Sequence, residues 1–213
     1  MLADVPARLT DALAELDRPG HVAIDLSRFA VAGYSFGGVP AVTYAATAAA
    51  AGLPVPDALF VMAPCFDGNA SLGTTPGSTC QTLPADLTLP SGLKAVELAF
   101  GEDFRVGIDM PRQVWSTLAS LPAADRDFVV MVSDGHGMPP VAARHETPVD
   151  DVDAADWFGA WKLSDALLAC AFEGTWCEFA LGNTPGQRYM GTWSDGVPVA
   201  ELQVFDNTTA LTP

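Results

Sequence analysis

Four short apolar runs punctuate the chain: Phe29-Ala-Val-Ala32, Ala58-Leu-Phe-Val-Met-Ala63, Lys94-Ala-Val-Glu-Leu-Ala-Phe100 and Asp127-Phe-Val-Val-Met-Val132. They are nearly continuous rather than alternating, which is the pattern of strands covered on both faces in a parallel sheet. The segments between and around them carry helical periodicity. Over residues 4 to 17, Val5, Leu9, Leu13 and Leu16 recur at three- and four-residue spacing until Pro19-Gly20 stops the pattern. An alanine-rich helix is predicted from 37 to about 51, closed by Gly52 and Pro54, and a third from 109 to 120 with Val114, Leu118 and Leu121 on one face. A longer one follows from about 152 to 172, its stripe made of Ala155, Phe158, Leu163, Leu167 and Ala171. Glu201-Leu-Gln-Val-Phe205 reads as a last strand. Strands alternating with helices predict an α/β fold, a mostly parallel sheet with helices on both faces.

Two stretches fall outside this alternation. Residues 66 to 92 are rich in Gly, Pro, Ser and Thr without periodicity, and so long a structureless insertion reads as a lid or binding loop. Residues 173 to 213 read as an irregular extension. At 213 residues and 49% hydrophobic content the chain can bury one sizeable core, so a single domain is expected.

The formal net charge of −16 disfavours nucleic acid and anionic membrane surfaces as partners, since both select clustered Lys and Arg. No apolar run reaches the length of a membrane span, and the first residues lack the pattern of a signal peptide. The four cysteines pair naturally in sequence, Cys65 with Cys80 and Cys170 with Cys177, each pair flanking a loop. Two local disulfides would place the protein in a secreted or periplasmic setting, whereas four reduced thiols would suit the cytoplasm. No paired Cys or His has the spacing of a zinc site. Asn69-Ala-Ser71 and Asn207-Thr-Thr209 match the glycosylation triplet but are too common by chance to weigh.

The chemistry begins at Gly33-Tyr34-Ser35-Phe36-Gly37-Gly38. A G-x-S-x-G string between a buried strand and a helix is the context of a nucleophile elbow, in which a strained turn lifts the serine hydroxyl clear of the sheet. Residues two before and two after the serine must then be small, and Gly38 lets the helix pack closely on the sheet. In such sheets ligands gather outside the carboxyl ends of the strands. Three reactive groups fall at such ends: Ser35, Asp103 in Gly101-Glu-Asp103, and His136 in Ser133-Asp-Gly-His-Gly137. A serine hydroxyl needs a base to become a nucleophile, and the base needs a carboxylate to orient it. Glu102 and Asp109 compete with Asp103 for the acid. His145, between Arg144 and Glu146, competes with His136 but has the surroundings of a surface ion pair, so His136 is preferred. His21 lies at the amino end of the sheet, and Asp134 is placed to support the base. Trp157, Trp161, Trp176 and Trp193 could line an acyl pocket, although tryptophan at helical spacing more often serves the core.

Over residues 22 to 140 the sequence resembles the α/β-hydrolase superfamily, and most of all bacterial serine esterases of the dienelactone-hydrolase, chlorophyllase and cutinase-like polyester-hydrolase groups. The likeness rests on Asp25-Leu-Ser-Arg leading into Gly33–Gly38, on Gly101-Glu-Asp103, and on the strand running into Gly135-His136, with the order Ser, Asp, His. The resemblance implies Ser35 as nucleophile, Asp103 as acid, His136 as base and the backbone N–H of Phe36 as an oxyanion donor. It implies cleavage of carboxylic esters through an acyl-enzyme, without metal or organic cofactor, on small neutral esters or polyesters. Thioesterase or haloperoxidase chemistry on the same triad, or a non-catalytic fragment acting only in binding, are the competing expectations. One departure is large: about four strands and a helix precede the elbow strand in that superfamily, and here about 28 residues do. Relative to the family the chain is therefore expected to be N-terminally truncated, as a truncated reading frame with Met1 an internal start, a chain completed by a partner, or a minimal fold with another cover. The elbow strand should form an unpaired apolar edge, which a homo-oligomer would cover.

Overall fold

The apolar runs become strands because they can satisfy their backbone groups only by pairing once they leave water. The computed structural model describes residues 5–65, 80–84 and 87–205. Its sheet contains β1 (Ala30–Tyr34), β2 (Ala58–Met62), β3 (Lys94–Phe100), β4 (Arg126–Met131) and β5 (Gln203–Phe205) in that spatial order. The first four are parallel, and β5 returns antiparallel to β4. The helices are α1 (Val5–Leu16), α2 (Gly38–Thr47), α3 (Asp109–Leu118), α4 (Lys162–Glu173) and the single turn α5 (Pro185–Arg188). The α/β class and the mostly parallel sheet are as the sequence indicates.

Period-two alternation along the strands sorts the core into two layers. Phe60, Val96, Leu98 and Met131 face α4, where Leu163 and Leu167 meet them. Leu59, Val61, Ala95 and Val130 face the opposite way, under Val42 of α2 and Trp115 of α3. Glu97, in register with Val61 and Phe128, belongs by its position on the strand to this second layer. It is fully buried, and neither carboxylate oxygen has a hydrogen-bond partner among the described residues. Burial pushes its carboxyl well above the usual range.

The predicted helix over 152 to 172 is divided. A π-helical turn, Ala155–Trp161, precedes α4, and Gly174 ends the helix in the left-handed region at φ 68°. Helical spacing does not bury the tryptophans here: Trp157, Trp161 and Trp176 are exposed, whereas Trp115 is fully buried. Both disulfides, Cys65–Cys80 and Cys170–Cys177, are formed. No helix among the described residues is long and apolar enough to cross a membrane. Most of the expected lid (66–79 and 85–86), both Asn-x-Ser/Thr triplets, and Met1 lie outside the described residues.

On the β1 side the core is thinly covered. Among the described residues β1 has a strand partner only in β2, and Ala32 is exposed. Helix α1 buries no residue fully, and Val22, Ile24 and Leu26 stand in solvent. Two apolar clefts flank the edge, one of about 370 Å³ lined by Val5, Leu9 and Phe29 and one of about 250 Å³ lined by Phe60, Leu167 and Leu168.

Candidate active site

The carboxyl end of β1 turns directly into a short 3-10 turn, Ser35–Gly37, and then into α2. Ser35 sits at φ 52°, a left-handed conformation that costs a side-chain-bearing residue about 1 kcal/mol or more. The turn holds it there. A Cβ on Gly33 would lie 2.2 Å from the Gly37 carbonyl oxygen, and one on Gly38 would lie 2.5 Å from Pro64 Cβ. Gly37 itself has open space around its missing Cβ, so the elbow requires glycine at 33 and 38 but not at 37. The Ser35 carbonyl accepts a 2.9 Å bond from the Cys65 amide, which ties the elbow to the end of β2.

Asp103 follows β3 and is buried, its side chain fully so. One oxygen, Oδ1, accepts the backbone N–H groups of Arg105 (2.8 Å) and Val106 (3.0 Å). The other, Oδ2, stands 2.7 Å from Nδ1 of His145. The far nitrogen of that ring, Nε2, is 2.9 Å from the Ser35 hydroxyl. The structure thus brings Ser35 and Asp103 together through His145.

His136 is not part of this group, which corrects the sequence expectation. After β4 the chain makes an excursion closed by an antiparallel bridge, Asp134 N–H to the Val141 carbonyl at 2.8 Å and the reverse at 3.0 Å. His136 is carried out on that excursion. Its Nε2 lies 2.7 Å from Asp195, and both side chains are substantially exposed. Asp134 supports this outer loop: it accepts from the His136 amide, Trp193 Nε1 and the Ala200 amide, which together hold its carboxyl below the usual range. The chain reaches the serine only after returning through Val141. Ala143 N–H then bonds the Ser133 hydroxyl (2.9 Å), and Thr147 Oγ1 bridges Ala142 and Arg144 (2.8 and 2.9 Å).

Two further contacts aim the histidine. The Tyr34 hydroxyl, one residue before Ser35, donates to the His145 carbonyl, and the two rings lie 5.2 Å apart. Glu146 pairs with Arg105 and Glu102 N–H bonds the Ala143 carbonyl at 2.9 Å, so the acid loop and the histidine loop are fastened together. His145 is not the surface ion-pair residue its neighbours suggest: Glu146 pairs with Arg105 instead, and His145 itself is buried against Asp103. Tyr34 and Arg105 carried no signal in the sequence. The competing acids stand apart: Asp109 is exposed and pairs with Arg112, while Glu102 is exposed on the loop. His21 lies 3.9 Å from Glu15 on the surface. Among the described residues no group of three or more His, Cys, Asp or Glu is placed to hold a metal ion.

No family model and no curated protein matches the chain. Among solved structures it is similar to an alpha/beta hydrolase enzyme from a Medee basin deep-sea metagenome library, at 21% identity and a TM-score of 0.47. The likeness covers 79% of this chain and 62% of that one, so the chain spans less than two thirds of that enzyme's length.

Proposed function

We propose that the protein is a serine hydrolase that cleaves carboxylic esters through an acyl-enzyme, with Ser35 as nucleophile, His145 as base and Asp103 as orienting acid. The observation that carries this reading is the continuous relay from Ser35 Oγ to His145 Nε2 at 2.9 Å and from His145 Nδ1 to Asp103 Oδ2 at 2.7 Å. Each distance lies within the reach that proton transfer and imidazole orientation require. His145 removes the hydroxyl proton as Ser35 attacks the ester carbonyl. Asp103 fixes the tautomer with the proton on Nδ1 and stabilises the imidazolium that forms. The tetrahedral oxyanion is received by the backbone N–H of Phe36 at the elbow. His145 then hands its proton to the departing alkoxide, the bond to the alcohol breaks, and the same nitrogen activates the water that releases the acid. The net charge of −16 favours uncharged esters over anionic ones.

A serine-directed fluorophosphonate tests the reading. It should label the native protein at Ser35, and neither Ser35→Ala nor His145→Ala should be labelled. A native protein that resists the reagent would mean that this chain alone does not activate Ser35.

A further inference from the structure

Along the outer face of α4 runs a groove of about 690 Å³ that the proposed ester chemistry does not use. One wall is the π-helical turn and α4, contributing Trp157, Lys162 and Asp165; the other is the segment after α4, contributing Trp176, Phe179 and Tyr189. The walls are fastened to each other. The Cys170–Cys177 disulfide joins them at one place. At another, the Lys162 ammonium donates to the carbonyls of Gly186 (3.1 Å), Gln187 (2.7 Å) and Tyr189 (2.6 Å). The groove is therefore preformed, and a ligand would not have to order it.

Its rings are held open to water. Trp157 and Trp176 are each 61% exposed and Tyr189 46%. Trp176 also stands in the left-handed region at φ 61°, a conformation that costs a bulky residue free energy, immediately beside the disulfide. Trp157 projects from a π-helical turn, a local departure that frequently accompanies function. Exposed aromatic side chains grouped in a rigid cleft mark a binding surface more than a packing accident.

Charge narrows the occupant. The three donors of Lys162 are spent on backbone carbonyls, so the groove offers no free cation to an anion, and the protein as a whole repels one. A cationic ligand would meet both the Lys162 ammonium and the Asp165 carboxylate in this wall, so the groove's own two charges oppose each other there. The Asp165 carboxylate is exposed and hydrogen-bonded to no described residue, so a wholly apolar ligand would strip its water without replacement. A flat ring with an apolar face and a hydroxyl-bearing edge meets both demands. We propose that this groove binds an uncharged oligosaccharide, its sugar faces stacked on Trp157 and Trp176 and its hydroxyls donating to Asp165. From Trp157 to Ala166 the helical wall runs about 13 Å, longer than one sugar ring. The proposal stands apart from the ester-hydrolase reading.

The test is titration of the native protein's tryptophan fluorescence with uncharged hexasaccharides of β-1,4-glucan, β-1,4-xylan and α-1,4-glucan, alongside naphthalene as an apolar ring. At least one sugar should give a saturable change, weakened tenfold or more by Trp157→Ala and by Trp176→Ala, and weakened also by Asp165→Asn. Both tryptophans are exposed, so the variants should keep the native far-ultraviolet circular dichroism and melting temperature, which are measured in parallel. No response to any sugar overturns the proposal. So does a response that survives both tryptophan substitutions, or binding of naphthalene without binding of sugar. Because Ser35 labelling is read separately, failure here leaves the esterase reading untouched, and the reverse also holds.

Discussion

The hydroxyl of Tyr34 donates to the backbone carbonyl of His145, so the residue next to the proposed nucleophile positions the loop that carries the proposed base. This bond links two segments 111 residues apart. Tyr34→Phe keeps the ring stacking and removes only the bond, a loss of about 1 kcal/mol. Ester turnover should fall by up to about tenfold in kcat with KM nearly unchanged. Equal kcat in the two proteins would show that the bond does not position the base.

The two histidines should separate cleanly. His145→Ala should lower kcat on a soluble nitrophenyl ester by about 10⁴ or more, as expected when a triad base is removed. His136→Ala removes an exposed pair with Asp195 and should leave kcat within about twofold. The opposite ranking would return the base to His136.

The elbow glycines should differ just as sharply. A methyl group on Gly33 meets the Gly37 carbonyl, which is backbone and cannot rotate away. Gly33→Ala should therefore destabilise the fold by about 2 kcal/mol or more and abolish Ser35 labelling. Gly37 has φ −78° and free space, so Gly37→Ala should be neutral or raise stability by about 0.5 kcal/mol. Chemical denaturation of both variants decides the point; equal destabilisation would contradict the geometry.

Glu97 gives the protein a pH-dependent stability. Its carboxyl titrates near 4.5 when unfolded and well above that when folded. Above pH 4.5 the unfolded chain releases a proton that the native state keeps, so this group's contribution to stability is whole below that pH and is lost as pH rises towards the folded pKa. Glu97→Gln should flatten that part of the profile and raise Tm at pH 7 by about 3 °C or more. Melting curves taken from pH 4 to 8 should show the native protein losing stability relative to the variant. Parallel profiles would mean that Glu97 is ionised or solvated in the native state.

The free edge of β1 should associate. Ala30-Val-Ala-Gly-Tyr34 presents unpaired backbone groups with no charge, proline or bulge to protect them. We expect concentration-dependent self-association by light scattering, relieved by Ala32→Lys, because a charge at this exposed edge position opposes pairing. A native protein that stays monomeric at all concentrations would show that the edge is covered within the chain.

What the sequence determined is what rests on local order. Nearly continuous apolar runs have one way to bury both faces, so Ala58–Met62 and Lys94–Phe100 had to be inner strands. Gly33 and Gly38 around Ser35 specify a turn by excluded volume, which acts over a few residues and is visible in the string. The acid beyond β3 follows from the same logic, since Asp103 lies only three residues past Phe100. The histidine did not. Two histidines follow β4, and their separation along the chain says nothing about which one returns to Ser35. The Asp134–Val141 bridge decides it by spending residues 135 to 140 on an outward excursion, and the Tyr34 and Arg105 contacts hold the later histidine in place. Those bonds join segments about 40 to 110 residues apart. Their partners are chosen by packing in three dimensions, so no pattern along the chain records them.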